Sequence, residues 1–190
     1  MKRGLNLAIQ FFAIAVLTAL DQWFKFLVNE NLELFESVTV INGVLDFRHI
    51  RNYGAAFGLL EGHRWLLVWV TAALILTGII MIAANIIKGA FLRWAAVLIV
   101  AGGLGNLINR FFDGFVIDYL QLRFWPLHNF SIFNFADILV VTGTMMLIAK
   151  TIIYDTIKER KAMRDDFDKL AEDIAEHDDP DTIIRDDDEV

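Results

Sequence analysis

The sequence predicts an all-α membrane protein with four transmembrane helices and a small β-sheet outside the membrane. Of its 190 residues, 56% are hydrophobic, and the mean hydropathy of +0.50 is high for a soluble domain. Apolar runs recur at lengths near the roughly 20 residues that cross about 30 Å of hydrocarbon. The chain has no cysteine, which excludes disulfides, thiol nucleophiles, thiolate metal sites and a lipid anchor on its own cysteine.

Four segments qualify as membrane spans. They lie at about 5–28, 64–87, 91–110 and 136–154. The first could instead be a cleaved signal peptide, since MKRG precedes its apolar run. However, no clear Ala-x-Ala site follows that run, and hydrophobicity resumes after Asp21. We therefore expect the first segment to stay as a span.

The charge divides the chain into two parts. From Asp165 onward lie 13 of the 24 acidic residues against two basic ones, so this stretch contributes −11 and residues 1–164 contribute +4 to the net charge of −7. We predict one transmembrane domain over residues 1–157 and an acidic cytoplasmic tail over 158–190, partly helical and then disordered.

Lysine and arginine near the span ends indicate the orientation, because cytoplasmic loops carry an excess of them. One side collects Lys2, Arg3, Lys88, Arg93, Lys150, Lys158, Arg160 and Lys161. The other side has Arg48, Arg51, Arg64, Arg110 and Arg123. This modest bias favours cytoplasmic termini, which places the connections at about 29–63 and 111–135 outside.

The two outer connections differ in composition. The first contains SVTVINGVLDFRHI and a turn-prone Asn-Tyr-Gly, so we predict short strands over about 38–57, forming a small sheet on the membrane surface. The second is rich in aromatic residues, which is typical of the membrane interface.

Polar residues that would be costly in lipid gather at the outer ends of the spans. They are Asp21, Lys25, Asn52, Asn106, Asn109, Arg110, Asp118, Asn134 and Asp137. The first and third spans run outward and the fourth runs inward, so all these residues fall in one leaflet. A charge at the centre of a span costs roughly 2.5–3.5 kcal/mol, and such residues indicate function by default.

Each member also has a purely structural interpretation. Asn134 could cap a helix with Asp137 in its first turn. Asp21 and Lys25, four residues apart on one helix face, could be a structural ion pair. The glycines of GGLG (102–105) could serve close helix packing. The convergence of these residues, rather than any single one, favours a site.

The residue inventory narrows the chemistry. The sequence has no HExxH, its four histidines are dispersed, and its two serines, Ser37 and Ser131, lie in no recognisable nucleophile turn. No phosphate loop or nucleic-acid module occurs. Asp118 and Asp137 remain the best pair for acid–base work, since two close carboxyl groups share one proton. Such a pair needs no metal or cofactor, and we predict none.

Five short motifs, in order over about residues 5–155, carry a resemblance to a known family. They are DQWFK, NYGAAFG, GGLGNLINR, GFVIDY and FNFAD. They resemble the motifs of lipoprotein signal peptidase (signal peptidase II), the aspartic endopeptidase of bacterial membranes. The resemblance implies four spans with cytoplasmic ends, a small extracytoplasmic sheet and a helix lying on the membrane surface.

The resemblance also implies roles for individual residues. The catalytic aspartates match Asp118 and Asp137. The residues that support them or bind substrate match Asp21, Lys25, Asn52, Gly54, Asn106, Arg110 and Asn134. The implied substrate is a diacylglyceryl-modified prolipoprotein, cut just before its lipidated cysteine at the outer leaflet of the bacterial inner membrane. We expect membrane lipid and this substrate as partners, no nucleic acid, and a monomer.

One position departs from the family pattern. Asn109 stands where an aspartate is usual, which would weaken a pairing with Arg110. Two other hypotheses therefore stay open: a non-catalytic lipoprotein binder, supported by Asn109, and a proton-coupled transporter using Asp21, Lys25 and Asp137.

Overall fold

The computed structural model describes residues 2–55, 59–127 and 130–177. Its elements, in chain order, are α1 (Lys2–Asn31), β1 (Ser37–Ile41), β2 (Leu45–Asn52), α2 (Arg64–Ala83), α3 (Ala90–Phe112), β3 (Val116–Leu122) and α4 (Phe135–His177). The disorder predicted for the end of the acidic tail lies beyond the described residues.

The four helices are each long and apolar enough to cross a membrane, which confirms the four predicted spans. Two of their ends differ from the prediction by four residues or more. Helix α2 ends at Ala83 rather than near 87, because Asn85 adopts a left-handed backbone with φ of 60°, a conformation that Asn tolerates better than most residues. Helix α4 continues past 154 to His177.

The chain forms two compact units, and α4 passes from one to the other between Leu147 and Ile148. The first unit contains the three strands, α1 to α3 and the start of α4. The described part of the second unit is the continuation of α4. The domain boundary expected at 157/158 stays a prediction.

Helix α3 lies at the centre of the first unit. In its most apolar stretch 44% of residues are buried, against 22% for α1 and α2 and 17% for α4. The core contains buried residues from all four helices: Ile14, Ile75, Ile82, Ala96, Val97, Val100, Ala101 and Leu139. Large apolar side chains such as Phe12, Trp69 and Leu74 remain exposed, as expected of faces in contact with lipid.

Glycines let α4 pack closely against α3. A Cβ added at Gly102 would overlap the Ala136 carbonyl oxygen, and one at Gly143 would lie 2.6 Å from the Ala95 carbonyl oxygen. These two contacts show that the helices run antiparallel. The C-terminal half of α3 therefore lies beside the N-terminus of α4.

The three strands form one antiparallel sheet in the order β1–β2–β3. The strands predicted over about 38–57 are confirmed as β1 and β2. Strand β3 arises from the aromatic connection, where no strand was predicted. The membrane-surface helix implied by the resemblance does not occur as a separate element within residues 2–55, 59–127 and 130–177.

A short extra pairing ties the sheet to the start of α4. Leu120 of β3 and Phe133 form an antiparallel bridge, with backbone N–H···O distances of 2.7 and 3.1 Å. Since Phe133 lies two residues before α4, this bridge brings the first turn of α4 beside β3.

Candidate active site

Two aspartates from different elements meet at the end of the helix bundle. Asp118 lies on β3 and is only 3% exposed, whereas Asp137 lies in the first turn of α4 and is partly exposed. Asn134 bridges them. Its side-chain Nδ2 donates to Asp118 Oδ1 at 2.6 Å, and its backbone N–H donates to Asp137 Oδ2 at 3.0 Å.

Asn134 is also the N-cap of α4, as its structural interpretation predicted. Its Oδ1 accepts the backbone N–H of Asp137 at 3.0 Å, while the Asp137 carboxylate accepts the N–H of Asn134. This reciprocal pair has the form of a capping box. The cap therefore fixes the position of the Asp137 carboxylate, so the capping and functional interpretations coincide.

Three asparagine carboxamides present their NH₂ groups to the aspartates. Besides Asn134, Asn106 Nδ2 donates to Asp137 Oδ1 and Asn52 Nδ2 donates to Asp118 Oδ2, both at 2.8 Å. Each of the four carboxylate oxygens thus accepts one N–H. Because a carboxylate oxygen has two lone pairs, each keeps one for a water or substrate.

The orientation of each carboxamide is imposed by a donor that faces its oxygen. Lys25 Nζ donates to Asn106 Oδ1 at 2.9 Å, and the backbone N–H of Gly54 donates to Asn52 Oδ1 at 2.9 Å. The N–H of Asp137 does the same for Asn134. Since an ammonium or a backbone N–H can only donate, it must meet the amide oxygen, and the amide nitrogen then faces the aspartate.

Lys25 and Asp21 form the buried ion pair that their spacing predicted. Lys25 Nζ lies 2.8 Å from Asp21 Oδ2, and the two residues are 1% and 0% exposed. Asp21 Oδ1 also accepts the backbone N–H of Ala136 at 2.9 Å, an anion at a helix N-terminus. Asp21 thereby fixes the start of α4 to α1. Gly105 makes room for this carboxylate, because a Cβ there would overlap Asp21 Oδ2.

Arg110 connects α3 to the segment that follows β2. Its guanidinium donates to the carbonyl oxygen of Gly54 at 2.8 Å, while the N–H of Gly54 holds Asn52. A continuous hydrogen-bonded network therefore links the nine residues to which the resemblance assigns a catalytic, supporting or substrate-binding role. In order of contact these are Asp21, Lys25, Asn106, Asp137, Asn134, Asp118, Asn52, Gly54 and Arg110.

Asn109 takes part in a different set of contacts. Its Nδ2 donates to Asp113 Oδ2 at 2.9 Å, and its Oδ1 accepts from Gln22 Nε2 at 3.2 Å. The pairing with Arg110 considered from the sequence is not observed, because adjacent helical residues do not face each other. Gln22, which also donates to Asp21 Oδ2 and to the Gly105 carbonyl oxygen, was missed. Its position beside Asp21 in an apolar run was the available signal.

The environment of Asp118 favours its protonated form. Burial, and next the negative charge of Asp137, raise the pKa of Asp118 to about 6. The hydrogen bonds from Asn52 and Asn134 and the charge of Lys25 oppose this rise in pKa. At pH values near 6 the carboxyl group therefore exists in both protonation states.

Both aspartates line a large groove between α2, α3 and α4, with a volume of about 1330 Å³. Asn106 and Arg110 also line it, and most of its wall is apolar, including Ile75 and Val100. The groove thus offers an apolar surface to a ligand with the two carboxyl groups at one position along it. Within residues 2–55, 59–127 and 130–177, no three His, Asp or Glu side chains are grouped as metal ligands.

Comparison with known proteins decides the family. The model of the signal peptidase (SPase) II family matches residues 13–153. The chain belongs to the signal peptidase II family. The lipoprotein signal peptidase of Desulfitobacterium hafniense is 39% identical over 78% of this chain and 95% of its own length. That of Halothermothrix orenii is 37% identical over 73% and 91% respectively.

The fold is also shared with solved structures. A bacterial membrane enzyme structure determined by the in meso method at 2.3 Å has a TM-score of 0.72 and 26% identity, covering 78% of this chain and 90% of that one. A second such structure, at 1.9 Å, has a TM-score of 0.69. Membership of the signal peptidase II family confirms the resemblance and the aspartic protease class inferred from it.

Proposed function

We propose that this chain removes signal peptides from diacylglyceryl-modified prolipoproteins, cutting before the lipidated cysteine with a water activated by Asp118 and Asp137. The observation that carries the proposal is that Asn134 hydrogen-bonds to both carboxylates, which holds them together at one end of an apolar groove. The lipoprotein signal peptidases of Desulfitobacterium hafniense and Halothermothrix orenii support the substrate class.

In the proposed mechanism the two aspartates share one proton. The ionised member accepts a proton from the attacking water, while the protonated member donates a hydrogen bond to the scissile carbonyl oxygen. The water oxygen bonds to the carbonyl carbon while the protonated member passes its proton to the carbonyl oxygen, which gives a tetrahedral diol. This collapses as the C–N bond breaks and a proton passes from an aspartate to the leaving amine. The products are one carboxylate and one amine, and no other reagent is consumed.

The remaining network residues hold this pair in place. Asn52, Asn106 and Asn134 donate hydrogen bonds to the carboxylate oxygens of the two aspartates. The remaining lone pairs of these oxygens stay available to water and substrate. Gly54 and Arg110, which line the groove, are proposed to contact the substrate backbone or headgroup region. Asp21 and Lys25 act through Asn106 and the start of α4, and are positioning residues.

The proposed site lies in the outer leaflet, with both termini cytoplasmic. The distribution of lysine and arginine supports this orientation, and the site residues occupy the opposite end of the bundle from the N-terminus of α1. A diacylglyceryl group would place its acyl chains against the apolar groove wall, with the peptide bond at the depth of the aspartates.

The proposal is tested with purified protein and three matched precursors: one carrying diacylglyceryl-cysteine, one with the same sequence but an unmodified cysteine, and one with the lipidated cysteine moved by two residues. We expect cleavage of the first immediately before the cysteine, no cleavage of the second, and a cut that follows the cysteine in the third, all read by product mass. Retention of the lipidated precursor without a shortened product would favour the non-catalytic binder instead.

A further inference from the structure

A second cavity, which is more polar than the groove, lies at the opposite end of the bundle from the aspartates. It has a volume of about 430 Å³, and its lining includes Asn6 and Gln10 of α1 and Gly89, Ala90 and Arg93 at the start of α3. Both Gln10 and Asp21 lie on α1, and at 1.5 Å per residue they are about 16 Å apart along its axis. The cavity therefore lies at a different depth along the bundle from the aspartates.

The start of α3 has the features of an anion site. Gly89 supplies no side-chain cap, so the first N–H groups of this 23-residue helix point outward without an intrahelical acceptor. Such an N-terminus attracts phosphate through its N–H groups and its dipole. Arg93, one turn later, uses Nε to hold the Ile87 carbonyl oxygen at 3.0 Å, and in the described part of the chain its terminal nitrogens meet no acceptor.

Gln10 provides an independent indication of a ligand. It is only 6% exposed and lines the cavity, yet its Oε1 has no hydrogen-bond partner among the described residues. An unpaired buried amide oxygen is unfavourable, because it has lost its hydrogen bonds to water without replacement. A ligand that carries hydroxyl donors beside an anionic group would satisfy Gln10 and the helix N-terminus together.

Charge and surroundings indicate an anionic amphiphile. The sequence has no Asp or Glu from Met1 to Leu20 or from Gly62 to Phe112, so no carboxylate on these stretches of α1, α2 and α3 repels an anion. Exposed apolar side chains border the cavity: Ile9 is 46% exposed and Trp94 is 39% exposed. A free phosphate would leave these faces unused, whereas acyl chains attached to the phosphate would cover them.

We propose that this cavity binds the headgroup of an anionic glycerophospholipid. The phosphate accepts from the N–H groups at the start of α3 and from Arg93, whose guanidinium suits phosphate geometry. The glycerol hydroxyls of phosphatidylglycerol hydrogen-bond to the carboxamide of Gln10, which lines the cavity. Basic pockets between spanning helices are a known setting for such headgroups.

The test measures lipid binding to the full chain in detergent by native mass spectrometry. The probes are phosphatidylglycerol, phosphatidylcholine with the same acyl chains, and inorganic phosphate. For Arg93→Gln we expect binding of phosphatidylglycerol to weaken about tenfold, the loss of one charge-assisted contact. Asn6 also lines the cavity and is exposed, so Asn6→Leu should keep the fold. We expect this variant to weaken phosphatidylglycerol binding about threefold, less than the loss of a charge-assisted contact.

Arg160→Gln is the matched control, because it removes the same charge from an exposed position on α4. We expect its phosphatidylglycerol binding to equal that of the unchanged protein. Equal losses in Arg93→Gln and Arg160→Gln would mean non-specific surface attraction and overturn the proposal. So would equal binding of phosphatidylcholine, or displacement of the lipid by inorganic phosphate. No substrate is present, so the outcome is independent of the cleavage assay.

Discussion

Asn52→Leu isolates one hydrogen bond to the aspartate pair. Asn52 Nδ2 donates to Asp118 Oδ2 at 2.8 Å, and this contact favours the ionised form and lowers the pKa of Asp118 against the effects of burial and of Asp137. Removing it therefore moves the pKa upward from its value of about 6. A hydrogen bond to a charged group contributes about 1.5–3 kcal/mol, and 1.36 kcal/mol corresponds to one pKa unit.

Water entering from the groove will replace part of the lost contact, so we expect a rise of about one pKa unit, at the low end of that range. In the proposed mechanism the active pair holds one proton, and activity falls as that proton is lost. The alkaline limb of the pH profile of kcat/KM, which reports the free enzyme, should therefore move about one unit to higher pH.

The assay follows cleavage of the lipidated precursor from pH 5 to 9 for the unchanged protein, Asn52→Leu and Asn31→Leu. Asn31 is an exposed asparagine whose side chain, within the described residues, donates to the carbonyl oxygen of Leu27 alone, so its replacement should leave the limb in place. A general loss of rate in Asn52→Leu is compatible with the reasoning, since the limb position is the readout. An alkaline limb that stays in place or moves to lower pH would refute it.

Three further predictions concern stability and the departing position. Lys25→Met leaves a buried carboxylate unpaired and should lower the free energy of unfolding by about 3–5 kcal/mol, measured by thermal unfolding in detergent; a loss under 1 kcal/mol would show that the pair is not buried as described. Gly105→Ala should cost about 1–3 kcal/mol by overpacking while Gly4→Ala, which meets nothing within 4 Å, changes little, and similar melting temperatures for both would contradict the close approach. Asn109→Asp places a second carboxylate beside Asp113 and removes the hydrogen bond between residues 109 and 113. The free energy of unfolding should therefore fall by about 1 kcal/mol, and cleavage should not become faster. A clear gain in the cleavage rate would count against this account of Asn109.

The helices, and the end of the bundle at which the candidate site residues gather, could be predicted because both depend on local signals. Hydropathy alone locates four spans, and alternating span directions place Lys25, Asn106 and Asp137 at one end. The end of α2 could not be predicted, because it depends on a left-handed backbone at Asn85 within a run that remains apolar.

Strand β3 shows a second limit. Its first four residues, Val116 to Tyr119, are all buried, so the sequence lacks the alternation that indicates a half-buried strand. Pairing with β2 on one side and the bridge to Phe133 on the other determine its conformation. These partners are distant in sequence, and Asp118 could therefore be proposed as a candidate site residue without its place in a sheet being known.

The carboxamide orientations could not be predicted either. Asn52, Asn106 and Asn134 were recognised as polar residues near the aspartates, but which atom faces the carboxylate depends on a donor from elsewhere. Lys25 on α1 sets it for Asn106, and the N–H of Gly54 sets it for Asn52. The contacts of Asn109 could not be predicted for the same reason, since its partners lie on α1 and one turn further along the chain.

Cleavage of a lipidated precursor by Asp118→Asn and Asp137→Asn tests most directly whether the two carboxyl groups act as one unit. Each change removes an acid–base group but keeps its shape, so each should reduce kcat at least about 10³-fold, with Asp113→Asn, an exposed carboxylate outside the pair, close to the unchanged protein. The double variant should be no slower than either single one, because removing either member already disables the unit. A single variant that kept more than a tenth of the rate, or losses that multiplied in the double variant, would contradict shared use of one proton.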